Sequence, residues 1–226
     1  MAETALLIPA LNCGVTIGAL VTAARRHVAD VLVVSDGSTD TTVAEAVAAG
    51  AQVVVHDRPL GKGAALLTGM RALAAQGVRR VVTMDGDGQH LPDEVPILLA
   101  AANAVPGGLV IGARRWEDVS VAPIKLFGNR FANRWVEIAC GQTLPDTQSG
   151  FRVYPLRETL ALRVRARHFA FETEVLIRAV RAGVPIHSVP VRVYYPPIAE
   201  RTSHYRGFVD TVRIIFVVVG LILRVW

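Results

Sequence analysis

The sequence predicts an α/β domain in which a mostly parallel central sheet is covered by helices on both faces. Short apolar segments alternate with longer helical segments through the first half of the chain, a pattern typical of parallel sheets. Polar clusters follow three of the apolar segments, at 9–12, 36–38 and 85–90. Right-handed crossovers bring the carboxyl ends of parallel strands to one edge, so we expect these three loops to meet there and form a ligand site.

The first half of the chain is predicted to contain strands and helices in strict alternation. The strands are short and mostly apolar, at Ala5–Ile8, Val31–Ser35, Gln52–His56, Val81–Met84 and Leu109–Gly112. The helices follow them, at Val15–His27, Thr41–Ala49, Ala64–Gln76 and Pro92–Asn103. The second and third helices end at a glycine and the fourth has proline in its first turn, which are common end signals.

The second half is less regular but contains further elements. They are a helix at Lys125–Ile138, a polar turn leading into a strand at Asp146–Tyr154, a helix at Glu172–Arg181 and an alternating strand at Ile186–Tyr195. No linker rich in glycine, proline or serine divides this part into a second folded domain.

An apolar run near the C-terminus, Ile214–Leu223, is bounded by Arg213 and Arg224. A spanning helix needs roughly 20 apolar residues, so this run is too short to cross a bilayer alone. It is predicted to lie in a membrane interface, to pack on the domain, or to be part of a longer membrane segment. We therefore expect a catalytic domain at 1–206 and a C-terminal apolar or interfacial helix at 207–226.

Composition limits the partners. The net charge of +5 and the pI of about 9.8 favour anionic ligands such as phosphorylated substrates or an acidic membrane surface. The basic residues are dispersed and lack RNA-type aromatic motifs, so nucleic acid is not an expected partner. Cys13 and Cys140 are far apart and form no metal-binding spacing. The N-terminus lacks the features of a secretory signal, which predicts a cytoplasmic protein.

The segment Asp85-Gly86-Asp87-Gly88-Gln89-His90 is the sharpest chemical signal. Two carboxylates after a buried strand suit Mg²⁺, which takes one or two carboxylates together with phosphate and water oxygens. A solvated turn is the structural alternative. An EF-hand is excluded, because its sixth and twelfth positions require glycine and glutamate and this loop has His90 and Pro96 there.

Two other polar loops are candidate contacts for a nucleotide. Asp36 follows the second strand and is predicted to accept hydrogen bonds from a base or ribose, while its neighbours cap the next helix. Gly61-Lys62-Gly63 is not a P-loop, because the earlier glycine and the following Ser or Thr are absent. Lys62 is left with two interpretations, a phosphate contact or a solvated lysine. No Gly-x-Gly-x-x-Gly follows the first strand, so a dinucleotide fold is not supported.

Several segments resemble, in order along nearly the whole chain, the family 2 glycosyltransferases of the GT-A fold and their dolichol-phosphate mannose synthase-like branch. They are Ile8-Pro9-Ala10-Leu11-Asn12, Val34-Ser35-Asp36-Gly37-Ser38-Thr39-Asp40, Gly61-Lys62-Gly63-Ala64-Ala65, Asp85-Gly86-Asp87-Gly88-Gln89-His90, Gln148-Ser149-Gly150-Phe151-Arg152-Val153-Tyr154, Phe171-Glu172-Thr173-Glu174 and Pro190-Val191-Arg192-Val193. The order of these motifs is specific to the family but not to one sugar.

The resemblance implies a role for individual residues. Mg²⁺ or Mn²⁺ would be held against the donor diphosphate by Asp85, Asp87 and Gln89. The nucleotide sugar would be bound by Pro9, Ala10, Asn12, Asp36, Lys62, Asp85 and Gly86. Arg114 and Arg152 would meet acceptor or donor phosphates, and Arg152, with Asp87, is expected to be catalytic. Arg130 and Arg134 are further candidates for the acceptor phosphate, because a guanidinium fork matches phosphate oxygens.

The implied reaction is inverting transfer of a sugar from a GDP- or UDP-sugar to a polyprenyl or dolichyl phosphate, at the cytoplasmic face of a membrane. The base of the nucleotide is left open, because Cys13 and Leu11 replace a glutamate and an aromatic residue common in the family. A lipid phosphate is already ionised and needs orientation rather than a base.

Three alternatives are kept. A hydroxyl acceptor would need a general base, for which Asp146 is the candidate. A nucleotidyltransferase would need a glycine-rich, arginine-bearing loop after the first strand, which 9–14 does not provide. A non-catalytic, membrane-associated binding protein would keep the fold without turnover.

Overall fold

The computed structural model describes residues 3–115, 123–194 and 207–223. Its strands are β1 Thr4–Ala10, β2 Val31–Ser35, β3 Gln52–Val55, β4 Arg80–Thr83, β5 Leu109–Arg114, β6 Arg152–Pro155 and β7 Ile186–Val191. Its α-helices are α1 Gly14–Ala24, α2 Thr42–Ala48, α3 Lys62–Ala75, α4 Val95–Ala104, α5 Pro123–Cys140, α6 Leu156–Ala161, α7 Ala170–Arg181 and α8 Gly207–Ile222. The predicted elements are confirmed to within a few residues, and the short helix α6 is an addition.

The seven strands form one sheet in the order β3-β2-β1-β4-β6-β5-β7. All neighbouring pairs are parallel except those of β6, which runs antiparallel to both β4 and β5. Because β6 is reversed, the loop that precedes it lies at the same edge as the carboxyl ends of β1, β2 and β4. The prediction of a mostly parallel sheet is confirmed, and the reversed strand adds a fourth loop to the expected site.

Both faces of the sheet are buried under helices, as predicted. One core layer contains buried residues of α1, α2 and α4, and the other contains residues of α3, α5, α7 and α8. Successive residues of β1 alternate between these layers, with Leu6 and Ile8 in the first and Leu7 in the second. A strand buried on both faces is apolar throughout, which explains why β1 and β2 were recognisable as continuous apolar runs.

Helix α8 packs on the domain through one side and exposes apolar residues on the other. Its buried side chains are Ile214, Val217, Val218 and Leu221, which join the core layer of α5 and α7. Its exposed apolar side chains include Phe216, at 71% of full exposure, and Leu223, which directly follows the helix, is 64% exposed. The expected packing of this segment on the domain is therefore observed. The helix also presents an apolar face outward, as a helix in a membrane interface would.

A helix that crosses a bilayer has to be both long and apolar. Within the described ranges, no helix combines the length and the apolar character that a membrane crossing requires.

Candidate active site

The loops after β1 and β2 are bonded to each other at the carboxyl edge of the sheet. The backbone N–H of Asn12 donates to Ser38 Oγ over 3.1 Å, and the N–H of Thr39 donates to Asn12 Oδ1 over 2.9 Å. Asn12 has a left-handed backbone, with φ of 50°, which asparagine adopts more readily than most residues. Pro9 and Ala10 end β1 beside these loops and pair with Val34 and Ser35 of β2. The predicted convergence of the first two loops is confirmed.

The carboxylate of Asp36 is buried and holds the loop that leads to α3. Its Oδ1 accepts from the N–H of Leu60 at 2.9 Å and from His56 Nδ1 at 2.7 Å, and its Oδ2 accepts from the N–H of Gly61 at 2.7 Å. Asp36 therefore shapes the entry to α3, and with it the position of Lys62. A direct contact with a nucleoside stays a prediction for this residue.

The loop after β4 is fixed by His90 and by the chain segment after β7. The N–H of Asp85 donates to His90 Nδ1 over 3.1 Å, and the imidazole stacks on Phe151 with ring centroids 5.0 Å apart. Burial lowers the pKa of His90, so the ring is neutral and accepts at Nδ1. The N–H of Tyr194 donates to the carbonyl of Gln89 over 2.9 Å. His90 was not among the predicted site residues, although the quoted motif contains it.

Asp85 and Asp87 supply two carboxylates on one turn of this loop. Asp87 Oδ1 accepts from the N–H of Gln89 over 3.0 Å. Burial and then the charge of Asp85 raise the pKa of Asp87, as expected for two carboxylates held close together. Within the described part of the chain, no cluster of three or more His, Cys, Asp or Glu residues is arranged to hold a metal.

The donor atoms of this loop fit a hard divalent cation that is also ligated by a substrate. Two carboxylates and the Gln89 amide provide oxygen ligands only, and Mg²⁺ ordinarily takes one or two carboxylates and completes its shell with phosphate and water oxygens. The turn is closely packed on the side of Gly150, where a Cβ would lie 2.9 Å from both oxygens of Asp85. The Asp85 side chain is nevertheless 27% exposed, which leaves it open to a ligand. Residues 85, 87 and 89 are therefore suited to a cation bound together with a diphosphate.

Lys62, the first residue of α3, lies beside this loop. Its Nζ is 2.6 Å from Asp85 Oδ1 and 2.7 Å from Glu172 Oε1. Burial opposes the charge on Lys62, but Asp85 and Glu172 together raise its pKa. Of the two interpretations of Lys62, the solvated lysine is wrong, because its side chain is only 14% exposed. Glu172 was missed as a site residue, since only the fold brings α7 to the loop after β4.

Arg114 and Asp146, predicted to have separate roles, form a two-pronged ion pair. Asp146 Oδ2 accepts from Arg114 Nε at 2.7 Å and from its backbone N–H at 2.9 Å, and Oδ1 accepts from Nη2 at 2.6 Å. Asp146 is buried and has a left-handed backbone, with φ of 51°. The pair joins the end of β5 to the loop before β6, so each residue fixes the position of the other.

Arg152 lies in the protein interior, at the start of β6. Its guanidinium donates to three backbone carbonyl oxygens, those of Thr147, Ser149 and Glu172, at 2.7, 2.7 and 2.9 Å. The side chain has no exposed surface, so from this position it does not contact a phosphate. We therefore propose a positioning role for Arg152 in place of the phosphate contact expected from the family resemblance.

The remaining predicted arginines lie on α5. Arg134 is 68% exposed and pairs with Glu137 of the same helix at 3.1 Å, so it is not brought into contact with the loops of the site. The side chain of Arg130 lies outside the described residues. Their contact with an acceptor phosphate stays a prediction.

Cys13, where the family often has glutamate, lies under the loop of Asp85 and Asp87. A Cβ on Gly86 would lie 3.1 Å from its Sγ. Burial raises the pKa of Cys13 to about 11, so the thiol is neutral and supplies no charge to the site. Cys13 therefore places no negative charge beside the candidate metal loop.

Comparison with known proteins identifies the family. The model of the family described as glycosyl transferase family 2 matches residues 5–160. The chain is 26% identical over 179 residues to the UDP-N-acetylglucosamine–dolichyl-phosphate N-acetylglucosaminyltransferase of Methanococcus voltae, covering 75% of this chain and 70% of the relative. It is 30% identical over 173 residues to the undecaprenyl-phosphate mannosyltransferase of Micrococcus luteus, covering 72% and 70%.

Among solved structures, the chain is similar to glucosyl-3-phosphoglycerate synthase of Mycobacterium tuberculosis in complex with Mg²⁺ and uridine diphosphate. The TM-score is 0.74 at 25% identity, covering 96% of this chain and 78% of that one. The same enzyme in complex with phosphoglyceric acid gives a TM-score of 0.75 at 25% identity, covering 96% and 79%. The predicted GT-A fold is confirmed. The chain belongs to glycosyl transferase family 2 and is a glycosyltransferase, with relatives among the polyprenyl-phosphate glycosyltransferases.

Proposed function

We propose that this chain transfers a sugar, with inversion, from a UDP- or GDP-sugar to a polyprenyl phosphate, in a reaction that depends on Mg²⁺ or Mn²⁺. The observation that carries the proposal is the juxtaposition of Asp85, Asp87 and Lys62 at the carboxyl edge of the sheet. Two carboxylates and a lysine suit a cation and a diphosphate bound side by side. The dolichyl- and undecaprenyl-phosphate relatives support the acceptor.

The donor half of the site is proposed to work through the loop after β4. Asp85, Asp87 and Gln89 would hold the cation, which when bound neutralises charge on the leaving nucleoside diphosphate. Lys62, at the N-terminus of a 14-residue helix, would hold a diphosphate oxygen, because helix N-termini and ammonium groups both favour anions. Asn12 accepts a hydrogen bond from the loop after β2 and would hold the two loops that are proposed to contact the nucleoside.

The acceptor half is proposed to depend on Arg114. Its Nε and Nη2 are held by the two oxygens of Asp146, so an acceptor phosphate would approach the other edge of a guanidinium that is already oriented. A lipid phosphate attacks as an anion, so no residue has to remove a proton. Asp146 thereby acts as a positioning residue in this mechanism rather than as a base.

The exposed face of α8 is proposed to rest on the cytoplasmic face of a membrane, where a lipid-linked acceptor is found. Phe216 and Leu223 lie on the side of the helix away from the core. Helices that lie in the interface bury one apolar face by about 5–10 Å at the headgroup boundary. The positive net charge of the chain would add attraction to anionic lipids.

A phosphorylated hydroxyl compound is the second candidate acceptor. The similarity to glucosyl-3-phosphoglycerate synthase in complex with phosphoglyceric acid favours it. The same Arg114 would then hold the phosphate of the acceptor, and Asp146 would have to take the hydroxyl proton. The two candidates differ in whether a base is needed, and so in the pH dependence of transfer.

The deciding experiment is a screen of UDP- and GDP-sugars against a short polyprenyl phosphate and against phosphoglycerate, with product identification by mass spectrometry. We expect a polyprenyl-phosphate sugar in the presence of Mg²⁺ or Mn²⁺ and no product with EDTA. A product on phosphoglycerate alone would establish the second candidate. Nucleotidyl transfer, or binding of a nucleotide sugar without any product, would refute the proposal.

Membrane contact is tested by sedimentation with anionic vesicles at low salt. The double variant Phe216→Ser, Leu223→Ser should bind several-fold less vesicle than the unmodified protein, because the removed side chains are exposed and apolar. The control is Val15→Ser, since Val15 is 96% exposed on another helix. Equal binding by all three proteins would contradict a contact through α8.

A further inference from the structure

Lys62 joins the candidate metal loop to a carboxylate on a distant helix. Its Nζ lies between Asp85 Oδ1, at 2.6 Å, and Glu172 Oε1, at 2.7 Å. Asp85 comes from the loop after β4 and Glu172 from α7, far apart in the chain. The ammonium group is therefore held by two contacts that the fold supplies before any ligand arrives.

Glu172 is suited to anchor Lys62 and little else. Its carboxylate is buried, with 4% of the side chain exposed, and its ion-pair partner among the described residues is Lys62. Apart from this ion pair with Lys62, neither carboxylate oxygen of Glu172 has a hydrogen-bond partner within the described ranges. A buried carboxylate without a counter-charge is costly, so Glu172 retains the lysine strongly.

Asp85, in contrast, would have to bind two cations, the Lys62 ammonium and the divalent metal. The oxygen that lies 2.6 Å from Lys62 Nζ belongs to a residue proposed to hold Mg²⁺ or Mn²⁺. An ammonium group and a divalent ion that share one carboxylate repel each other at short range. Lys62 therefore opposes binding of the metal as long as no further negative charge enters the site.

A nucleoside diphosphate brings that charge. Its oxygens would accept from Lys62 and ligate the metal together, which converts repulsion into shared attraction. Both side chains are partly exposed to such a ligand, Asp85 by 27% and Lys62 by 14%. On the other side Gly150 packs closely against the pair, since a Cβ there would lie 2.8 Å from Lys62 Nζ.

We propose that Lys62, anchored by Glu172, is a resident counter-cation that makes the binding of the divalent metal and of the nucleoside diphosphate depend on each other. Each ligand binds weakly alone and tightly with the other. The inference rests on the proposed function in one respect, that both ligands bind at this edge of the sheet. Because coupling is reciprocal, the factor by which the nucleotide tightens the metal equals the factor by which the metal tightens the nucleotide.

The test measures Mn²⁺ affinity by the electron paramagnetic resonance signal of free Mn²⁺, without nucleotide and with saturating UDP or GDP. For the full unmodified chain we expect the nucleotide to tighten Mn²⁺ binding by about tenfold or more, within the range usual for coupled sites. In Lys62→Met, Mn²⁺ without nucleotide should bind more tightly than in the unmodified protein, and the nucleotide should bind less tightly. The coupling factor should fall to the part that direct ligation of the metal by the diphosphate supplies.

Two further variants keep the test decisive. Lys62→Met leaves Glu172 buried without a counter-charge, so the double variant Lys62→Met, Glu172→Gln removes both charges and protects the fold. It should show the same reduced coupling factor. Arg71→Met is the matched control, because Arg71 is an exposed cation on the same helix, and it should leave both affinities unchanged. Circular dichroism confirms that each variant is folded.

The outcomes separate this inference from the proposed function. If the unmodified protein binds Mn²⁺ and nucleotide but a folded Lys62 variant keeps the full coupling factor, the counter-cation inference is wrong and the proposed function stands. The same holds if nucleotide-free Mn²⁺ binding weakens in folded Lys62→Met. If the unmodified protein binds neither Mn²⁺ nor any nucleotide, both are wrong.

Discussion

Replacing Arg152 tests whether this residue contacts a ligand or only holds backbone carbonyl groups in place. In Arg152→Met, the carbonyl oxygens of Thr147, Ser149 and Glu172 lose their guanidinium donors. A buried acceptor left without a partner costs about 1–3 kcal/mol, so three of them cost roughly 3–9 kcal/mol. Removing a buried charge offsets part of this cost, and we expect a net loss of about 3–5 kcal/mol from the free energy of unfolding.

This loss is large enough to measure by thermal unfolding. For chains of 150–250 residues, 1 kcal/mol lowers the Tm by about 2–4 °C, so Arg152→Met should lower it by about 6–20 °C. Arg152→Lys keeps the charge but not the planar fork, so we expect a loss of about 2 kcal/mol because one nitrogen cannot reach three separated oxygens. Arg157, an exposed arginine on α6, provides the matched control, and Arg157→Met should leave the Tm unchanged.

Transfer assayed well below the Tm completes the experiment. If Arg152 only holds the loop before β6, folded Arg152→Lys should keep metal and nucleotide binding and lose part of its transfer rate. A variant with an unchanged Tm and no transfer would refute the structural interpretation. The guanidinium would then have to reach a ligand, in a conformation different from the one described here.

Three further predictions follow from the site and its charges. Asp87→Asn should keep the Tm but weaken Mn²⁺–nucleotide binding and lower transfer by about 100-fold or more, since one of two carboxylate ligands is lost; normal turnover at saturating metal would exclude the metal role. Asp146→Asn should raise the KM for the acceptor by about tenfold with a smaller change in kcat, because it loosens Arg114 while asparagine still accepts the left-handed backbone; a pH-dependent collapse of kcat would identify a base instead. Burial raises the pKa of both Cys13 and Cys140 to about 11, so at pH 8 only about 0.1% of each is thiolate, and alkylation of the native protein should be slow and rise about tenfold per pH unit up to pH 11; fast labelling at pH 8 would contradict their burial.

The sequence was sufficient to predict the α/β layers because the signals are local. Strands buried on both faces are apolar throughout, and helix ends carry glycine or proline. The convergence of the loops after β1, β2 and β4 also followed from sequence, since crossover handedness brings the carboxyl ends of parallel strands to one edge. Asp85 and Asp87 were found for the same reason, as two carboxylates two positions apart after a strand.

Pairings between distant segments were decided only by the tertiary structure. The antiparallel direction of β6 places the loop before it at the active edge, and this alone brings Asp146 to Arg114. The packing of α7 beside α3 brings Glu172 to Lys62. Contacts of this kind depend on how whole elements are arranged, and no spacing within one segment encodes them.

Burial likewise changed the meaning of residues that the sequence had identified correctly by type. Arg152 carries the charge and fork expected of a phosphate ligand, yet backbone carbonyl oxygens surround it. Lys62 was equally compatible with a solvated surface, until two carboxylates fixed it in place. Residue type determines what a side chain is able to bind, and that much the sequence determined by itself; only the fold decides which partner is within 3 Å, because hydrogen bonds and ion pairs weaken steeply beyond that distance.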